Sequence, residues 1–331
     1  MRITIQAIAT HLQLSPATVS RVLNRREDAF ISQTTRQRVL RAAAEMGYRP
    51  NRAARALVTG RTDLITLALN RVRSSYYTEV IYQLQEQLRR DGYETLVGQM
   101  AGERDTGLDA LGLSEWPTDG IIIVDPLSDL RPLARGSLLQ QTPFVCIGTV
   151  PIEVADYVVV DLDSGAREAV EHLISLGCRR IGYFAGKGVC HPGDARYDAY
   201  SRTIQEAGLQ PEIIAVAPAT RSHARAALCD YVRDRGCPDG LFCFHDDLAL
   251  AAYRALCDLG LRVPEEVALV GCDGIQETQY LEKPLTTIVQ PLESMCALAW
   301  QYLQRRMQDP AAPLQQTILT PCLEIRPSSR R

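Results

Sequence analysis

Two groups of side chains in this sequence are of types that recognise other molecules through hydrogen bonds. The first lies on the stretch SPATVSRVLN, residues 15–24. On a helix, Ala17, Thr18, Ser20 and Arg21 fall away from an apolar side made by Val19, Val22 and Leu23. Ala17, Thr18 and Arg21 are then placed to choose a base sequence, since an arginine fork can bond guanine O6 and N7 together. The second group is scattered through the rest of the chain, just past apolar runs: Asn70, Tyr76, Tyr77, Asp125, Arg196, His245 and Asp273. Carboxylates and a guanidinium bond vicinal hydroxyls, and an aromatic face covers the C–H side of a ring, so this set suits a polyhydroxylated ligand such as a sugar. Plainer roles are open to some of these residues and their neighbours. Asp246 can cap a helix, Asp161 and Asp273 can hold turns, and Tyr76 can be core.

The elements that must carry the first group are legible. Ser15 can accept from the first open amides of a helix, and Pro16 at the next position has a preset φ and no donor to waste. Upstream, Thr4 can cap a helix through Leu12 with Ile5, Ile8, Ala9 and Leu12 on one stripe, leaving Gln13-Leu14 as a tight connection. Two short helices so joined make a helix-turn-helix, although the same pattern occurs in all-α cores. Charge favours the DNA reading. Residues 1–61 hold eleven arginines, no lysine and three acids, a net +8, while the whole chain is −3, leaving −11 for residues 62–331. A basic head on an acidic body is the asymmetry expected of a nucleic-acid-binding module. A third helix is predicted over 33–46, capped by Ser32 and stopped at Gly47, with Val39, Leu40, Ala43 and Met46 inward. Its Arg36, Arg38 and Arg41 are candidates for phosphate contact, or simply a solvated face.

The runs TIQAIATHLQLSPATVSRVLN and ISQTTRQRVLRAAAEMGYRPNRAARAL resemble the headpiece of the lactose/galactose-repressor (LacI/GalR) family of bacterial transcription regulators, and the resemblance extends to about residue 325. It implies operator contact by Thr4, Ser15, Pro16, Ala17, Thr18, Ser20, Arg21 and Asn24. It also implies a hinge helix on Asn51–Leu57 whose Asn51, small Ala53 and Ala54, and wedge Leu57 meet a second copy in the minor groove. In the cleft, Arg196 and Asp273 match positions that contact effector hydroxyls, Asn70, Tyr76 and Tyr77 match a first-strand loop, and Gln290 matches a crossover residue. Departures stand at His245, Gly148, Leu162 and Gly274, and the His245 imidazole leaves a phosphate or carboxylate ligand open.

A chain of 331 residues suggests two or three domains. From Leu64, apolar runs at 64–69, 94–98, 120–124, 144–147, 157–160, 180–185, 240–244, 267–271 and 286–289 alternate with helical stretches at 77–91, 165–177, 195–207, 222–235, 246–260 and 292–307. Such alternation predicts open parallel sheets with helices on both faces. The fold expected is therefore an N-terminal all-α helix-turn-helix headpiece (1–50), a hinge and linker (51–61), and an α/β two-subdomain periplasmic-binding-protein-like effector domain (62–331). Its first subdomain is expected at 62–161 and 292–317, its second at 162–291 and 318–331, with crossings near 161, 290 and 318.

No apolar run is long enough to span a membrane and no signal peptide is evident, so a cytoplasmic, nucleoid-associated protein with no membrane partner is expected. The ten cysteines include no C-x-x-C pair. Neither Cys190-His191 nor Cys243-Phe244-His245 completes a metal set, and no metal or cofactor is expected. Gly182–Gly188 has one residue too few between its glycines for a P-loop and lacks the Ser or Thr that should follow. No nucleophile elbow or paired-His site is present either, so an enzyme is not expected. The reading is a homodimeric, operator-binding regulator, acting as a repressor on pseudo-palindromic double-stranded DNA, with a carbohydrate-type effector in the cleft. The alternatives are a co-repressor-dependent regulator binding a purine or sugar phosphate, and a ligand-binding protein with no DNA role.

Overall fold

The computed structural model describes residues 3–23, 31–48, 56, 60–69, 74–99, 118–126 and 142–330. The chain forms two compact units, Met1–Thr62 and Asp63–Arg331.

In the first unit, α1 (Ile5–Leu12), α2 (Pro16–Leu23) and α3 (Gln33–Glu45) each start on a hydroxyl cap. Thr4 accepts from the Ala7 amide at 3.2 Å, Ser15 from Thr18 at 3.0 Å and Ser32 from Thr35 at 3.2 Å. Each bond satisfies a donor that helix geometry leaves open. Gln13 ends α1 in the left-handed region, at φ 54°, which turns the chain within two residues. Val19 and Val22 of α2 then close on Ile8 and Ala9 of α1 and on Val39, Ala42 and Ala43 of α3. One expected core position fails: Leu40 is 51% exposed, and Ala42 is buried instead. At about 100° per residue, 39, 42, 43 and 46 make one stripe and 40 lies off it.

The second unit contains two sheets. β1 (Leu64–Leu69), β2 (Glu94–Gln99), β3 (Gly120–Val124), β4 (Phe144–Gly148), β5 (Asp156–Val160) and β11 (Gln316–Leu319) form the first, in the order β11-β5-β4-β3-β1-β2, with every neighbouring pair parallel. β6 (Ile181–Gly186), β7 (Glu212–Val216), β8 (Gly240–Cys243), β9 (Ala268–Asp273), β10 (Thr286–Val289) and β12 (Cys322–Glu324) form the second, in the order β12-β10-β9-β8-β6-β7. Only β12, paired with β10, is antiparallel there.

Alternate residues of each strand bury on opposite faces, as the pleat requires. In the second sheet Tyr183, Phe242 and Val270 pack with α5 (Leu162–Ser175) and α6 (Ala195–Glu206). Phe184, Leu241 and Leu269 pack with α7 (Arg221–Arg235) and α8 (Asp246–Asp258) on the other face. The first sheet is covered on one face by α9 (Leu292–Gln308), which also packs on α4 (Ser75–Arg90). The chain crosses between sheets after β5, after β10 and after β11. β11 runs to Leu319 and the last crossing follows it, where the sequence places a crossing near 318. β7 and β12 lie outside the apolar runs read from the sequence; like β11 they are edge strands, with burial alternating or partial rather than continuous.

Candidate functional site

In the helical unit, Pro16, Ala17 and Arg21 are exposed on α2, while Thr18 and Ser20 are half-buried. The Thr18 hydroxyl lies 2.8 Å from Ser15 Oγ, so the cap also orients a side chain of the exposed face. Thr4 is exposed at the start of α1 and is engaged as its cap. Among the α3 arginines, Arg38 donates to the Leu12 carbonyl at 3.5 Å and so closes the carboxyl end of α1. Asn24, Asn51, Ala53, Ala54 and Leu57 lie outside the described residues, as does Asn70.

The two sheets share one strand order, in which β1 and β6 occupy the places where successive connections diverge. Ligand crevices form at strand carboxyl ends beside such places. Asp125 follows β3 at φ 47°, Asp273 ends β9 at φ 127°, and Phe244 and His245 follow β8. Tyr76 and Tyr77 lie in the first turn of α4, and Arg196 in the first turn of α6.

These side chains are joined. Tyr77 donates to Asp125 Oδ2 at 2.8 Å. Tyr76 donates to Gln290 Oε1 at 3.2 Å, and Gln290 donates through Nε2 to Asp273 Oδ1 at 2.9 Å. The second chain of bonds runs from α4 to the end of β9, so both subdomains contribute to one cluster. Across from it the Arg196 guanidinium stacks 3.5 Å from the centroid of Phe244 and donates to the Phe244 carbonyl at 3.3 Å. Its Nε is buried, with Asp194 Oδ1 at 3.8 Å and no hydrogen-bond acceptor among the described residues. Phe244 is not among the binding residues the sequence nominates; it closes the apolar run 240–244, and an aromatic at the end of such a run is the signal that points to it.

Burial pushes the Asp125 carboxyl up, against the Tyr77 bond and the Arg196 charge that pull it down. Asp273 is raised well above the carboxylate range by burial and then by the nearby Asp246 charge. Tyr76 is raised by burial and by both Asp125 and Asp273. Among the described residues, Arg196 is thus the cation whose field reaches both carboxylates.

The capping role that the sequence leaves open to Asp246 falls to His245. The imidazole caps α8, with His245 Nδ1 accepting from the Leu248 amide at 3.1 Å. Asp246 turns inward, wholly buried, and accepts from Gly274 N at 2.8 Å, Ile275 N at 2.9 Å and Thr287 Oγ1 at 2.7 Å. It fixes the turn that carries Asp273, and Gly271 leaves it room: a Cβ there would sit 2.1 Å from Asp246 Oδ1. Asp161 caps α5 by accepting from the Ser164 amide at 3.2 Å. Beside the cluster, a cavity of about 760 Å³ is lined by Ser75, Glu79, Glu277 and Glu293 together with Asp273 and Gln290. Tyr77, Asp125, Arg196 and His245 are not in its wall, so the bonded cluster and not this cavity defines the candidate site.

Comparison with known proteins gives this geometry its context. Residues 4–51 match the family described as bacterial regulatory proteins, lacI family, and residues 170–329 match the periplasmic binding protein-like domain. The HTH-type transcriptional regulator CelR of Thermobifida fusca is 32% identical over 306 residues, covering 89% of this chain and 88% of that protein. The chain belongs to the LacI family of bacterial regulatory proteins. It is a DNA-binding transcriptional regulator with a helix-turn-helix headpiece and a two-sheet, periplasmic-binding-protein-like body. LacI-family relatives include the ribose operon repressor of Haemophilus influenzae, 27% identical over 98% of each chain, and the repressor PurR of Aliivibrio salmonicida, 29% identical over 92% of each. Among solved structures, the CelR–cellobiose complex aligns with a TM-score of 0.68 at 27% identity, covering 99% of this chain and 100% of that one. The lac repressor dimer bound to operator and an anti-inducer aligns at 0.83 over 99% of each chain; at 24% identity it speaks for the fold. These relatives are regulators of transcription, not enzymes.

Proposed function

We propose that the protein is a homodimeric repressor of transcription that binds a pseudo-palindromic operator and answers to a sugar or sugar derivative in the cleft. Thr4, Ser15, Pro16, Ala17, Thr18, Ser20, Arg21 and Asn24 serve the major groove, Arg21 reading guanine and the neighbours fixing register. Asn51, Ala53, Ala54 and Leu57 form the hinge, where small residues allow two copies to approach and Leu57 unstacks a base step. Tyr76, Tyr77, Asp125, Arg196, Asp273 and Gln290, with Asn70 and His245 at the edges, hold the effector. The two-fold of the dimer accounts for the operator symmetry. The protein carries out no reaction in this reading and acts in the bacterial cytoplasm, at the nucleoid.

One observation carries the effector assignment: buried carboxylates, a stacked guanidinium and tyrosine hydroxyls from both subdomains meet in a single cluster. Solved relatives bound to cellobiose, lactose and ribose support the choice of a carbohydrate. A ligand held between two bodies shifts their equilibrium only as far as it binds one arrangement better than the other.

The test is fluorescence anisotropy on a palindromic duplex selected from a random pool, repeated with a panel of sugars, sugar acids, sugar phosphates and purines. Release by one compound identifies the inducer. Arg196→Ala is expected to bind the operator and to ignore that compound. Failure to select any duplex would remove the headpiece assignment, and a full response in Arg196→Ala would remove the effector site.

A further inference from the structure

Asp125 and Gly148 are fitted to one another. Gly148 ends β4 beside the end of β3, with φ at +151°, and a Cβ built on it would lie 2.3 Å from Asp125 Oδ1. The Asp125 carboxylate therefore occupies the volume that any side chain at 148 would need, at a positive φ that glycine accepts most readily. Its other oxygen is fixed by the Tyr77 hydroxyl at 2.8 Å.

Among the described residues, Asp125 and Asp273 share one guanidinium, Arg196, while the buried Asp246 is offset by Arg326. A helix amino terminus ordinarily attracts an anion, but α8 opens with Asp246 and Asp247. Its cap, His245, spends Nδ1 on the Leu248 amide, so that nitrogen is not offered to a phosphate. Arg221 is taken by Asp247.

We propose, building on the effector reading above, that the Asp125–Gly148 pair sets the effector class: a hydroxyl-rich compound that is uncharged or carries an amine, and not a sugar phosphate or sugar acid. Hydroxyl or ammonium donors meet the two carboxylates, and ring hydroxyls accept from Arg196.

The experiment is thermal unfolding of the full chain at neutral pH with glucose, glucosamine, cellobiose, lactose, ribose, glucuronate and glucose 6-phosphate. The expected result is a concentration-dependent rise in Tm with a neutral or amino member and none with the two anions. Asp125→Asn, which keeps shape and the Tyr77 partner, should weaken that binding roughly ten-fold or more, the loss for one charge-assisted hydrogen bond. Gly148→Ala, which must displace the carboxylate, should weaken it likewise. Stabilisation by glucuronate or glucose 6-phosphate, or by none of the seven, would overturn the proposal. So would a wild-type response in Asp125→Asn; if Arg196→Ala then abolished that response, the cleft would remain the effector site and only the selector role would fall.

Discussion

Replacing Asp246 by asparagine should change how stability depends on pH more than it changes stability itself. The wild-type carboxyl is pushed up to about 6 from 3.8, by burial first, with the bonds from Thr287, Ile275 and Gly274 pulling the other way. A folded value above the unfolded one means that the native state holds this proton more tightly. The associated stability is full below about pH 4 and is lost as pH rises through about 6. At 1.36 kcal/mol per pH unit the loss across that window is roughly 3 kcal/mol. Asparagine can accept from Gly274 and Ile275 with Oδ1 and donate to Thr287 with its amide, so the turn survives without the titration. It also removes the negative charge that helps to raise Asp273. Urea unfolding of the body at several pH values between 4 and 7.5 should show the variant gaining on the wild type by roughly 3 kcal/mol as pH rises. Parallel curves would show that Asp246 does not titrate in this window and would refute the account of its burial.

Other outcomes follow from single contacts. Arg306 holds Asp156 through two bonds, 2.9 and 3.0 Å, where the carboxylate is 1% exposed, so Arg306→Ala should lower unfolding free energy by about 3–5 kcal/mol in urea titrations. Ser15→Ala removes the α2 cap and should cost about 1 kcal/mol in headpiece stability, read by helical circular dichroism on heating. Leu57→Ala should lose most operator affinity while keeping salt-sensitive non-specific binding; unchanged operator affinity in gel shifts would remove the hinge assignment.

Most of the architecture was readable because parallel strands buried on both faces appear as unbroken apolar runs. β3, GIIIV, and β4, FVCIG, are of this kind. β7 escaped because its EIIAV is half-exposed at a sheet edge, and β12 because three residues are too few for a periodicity. In the candidate site the sequence supplied residue types and left open which neighbour does what. Whether Asp246 caps its helix turned on Gly271, about 80 Å of fully extended chain away, whose missing side chain leaves room for an inward carboxylate. The fit of Gly148 to Asp125 is equally a matter of register between β3 and β4, which no local pattern encodes.

The bonds that join the two subdomains differ in worth, and that difference bears on how small an effector can be. Ser75, at the start of α4, donates to Glu277 at 2.6 Å and accepts from Arg221 at 3.0 Å, while Arg221 is anchored on Asp247. Glu277 and Arg221 are exposed, Ser75 and Asp247 partly buried, and pairs open to solvent in this way contribute only about 0–1 kcal/mol each. The buried chain from Tyr76 through Gln290 to Asp273 is different, because breaking it leaves polar groups without partners, at a cost of about 1–3 kcal/mol each. A ligand that replaces those inner bonds with its own hydroxyls leaves none of them unmet. Its preference for one arrangement of the subdomains then has to outweigh chiefly the weak exposed pairs. A small hydroxylated molecule making two or three bonds in the cluster is sufficient for that, which is why the inner cluster, and not the exposed contacts, is where the effector response should be decided.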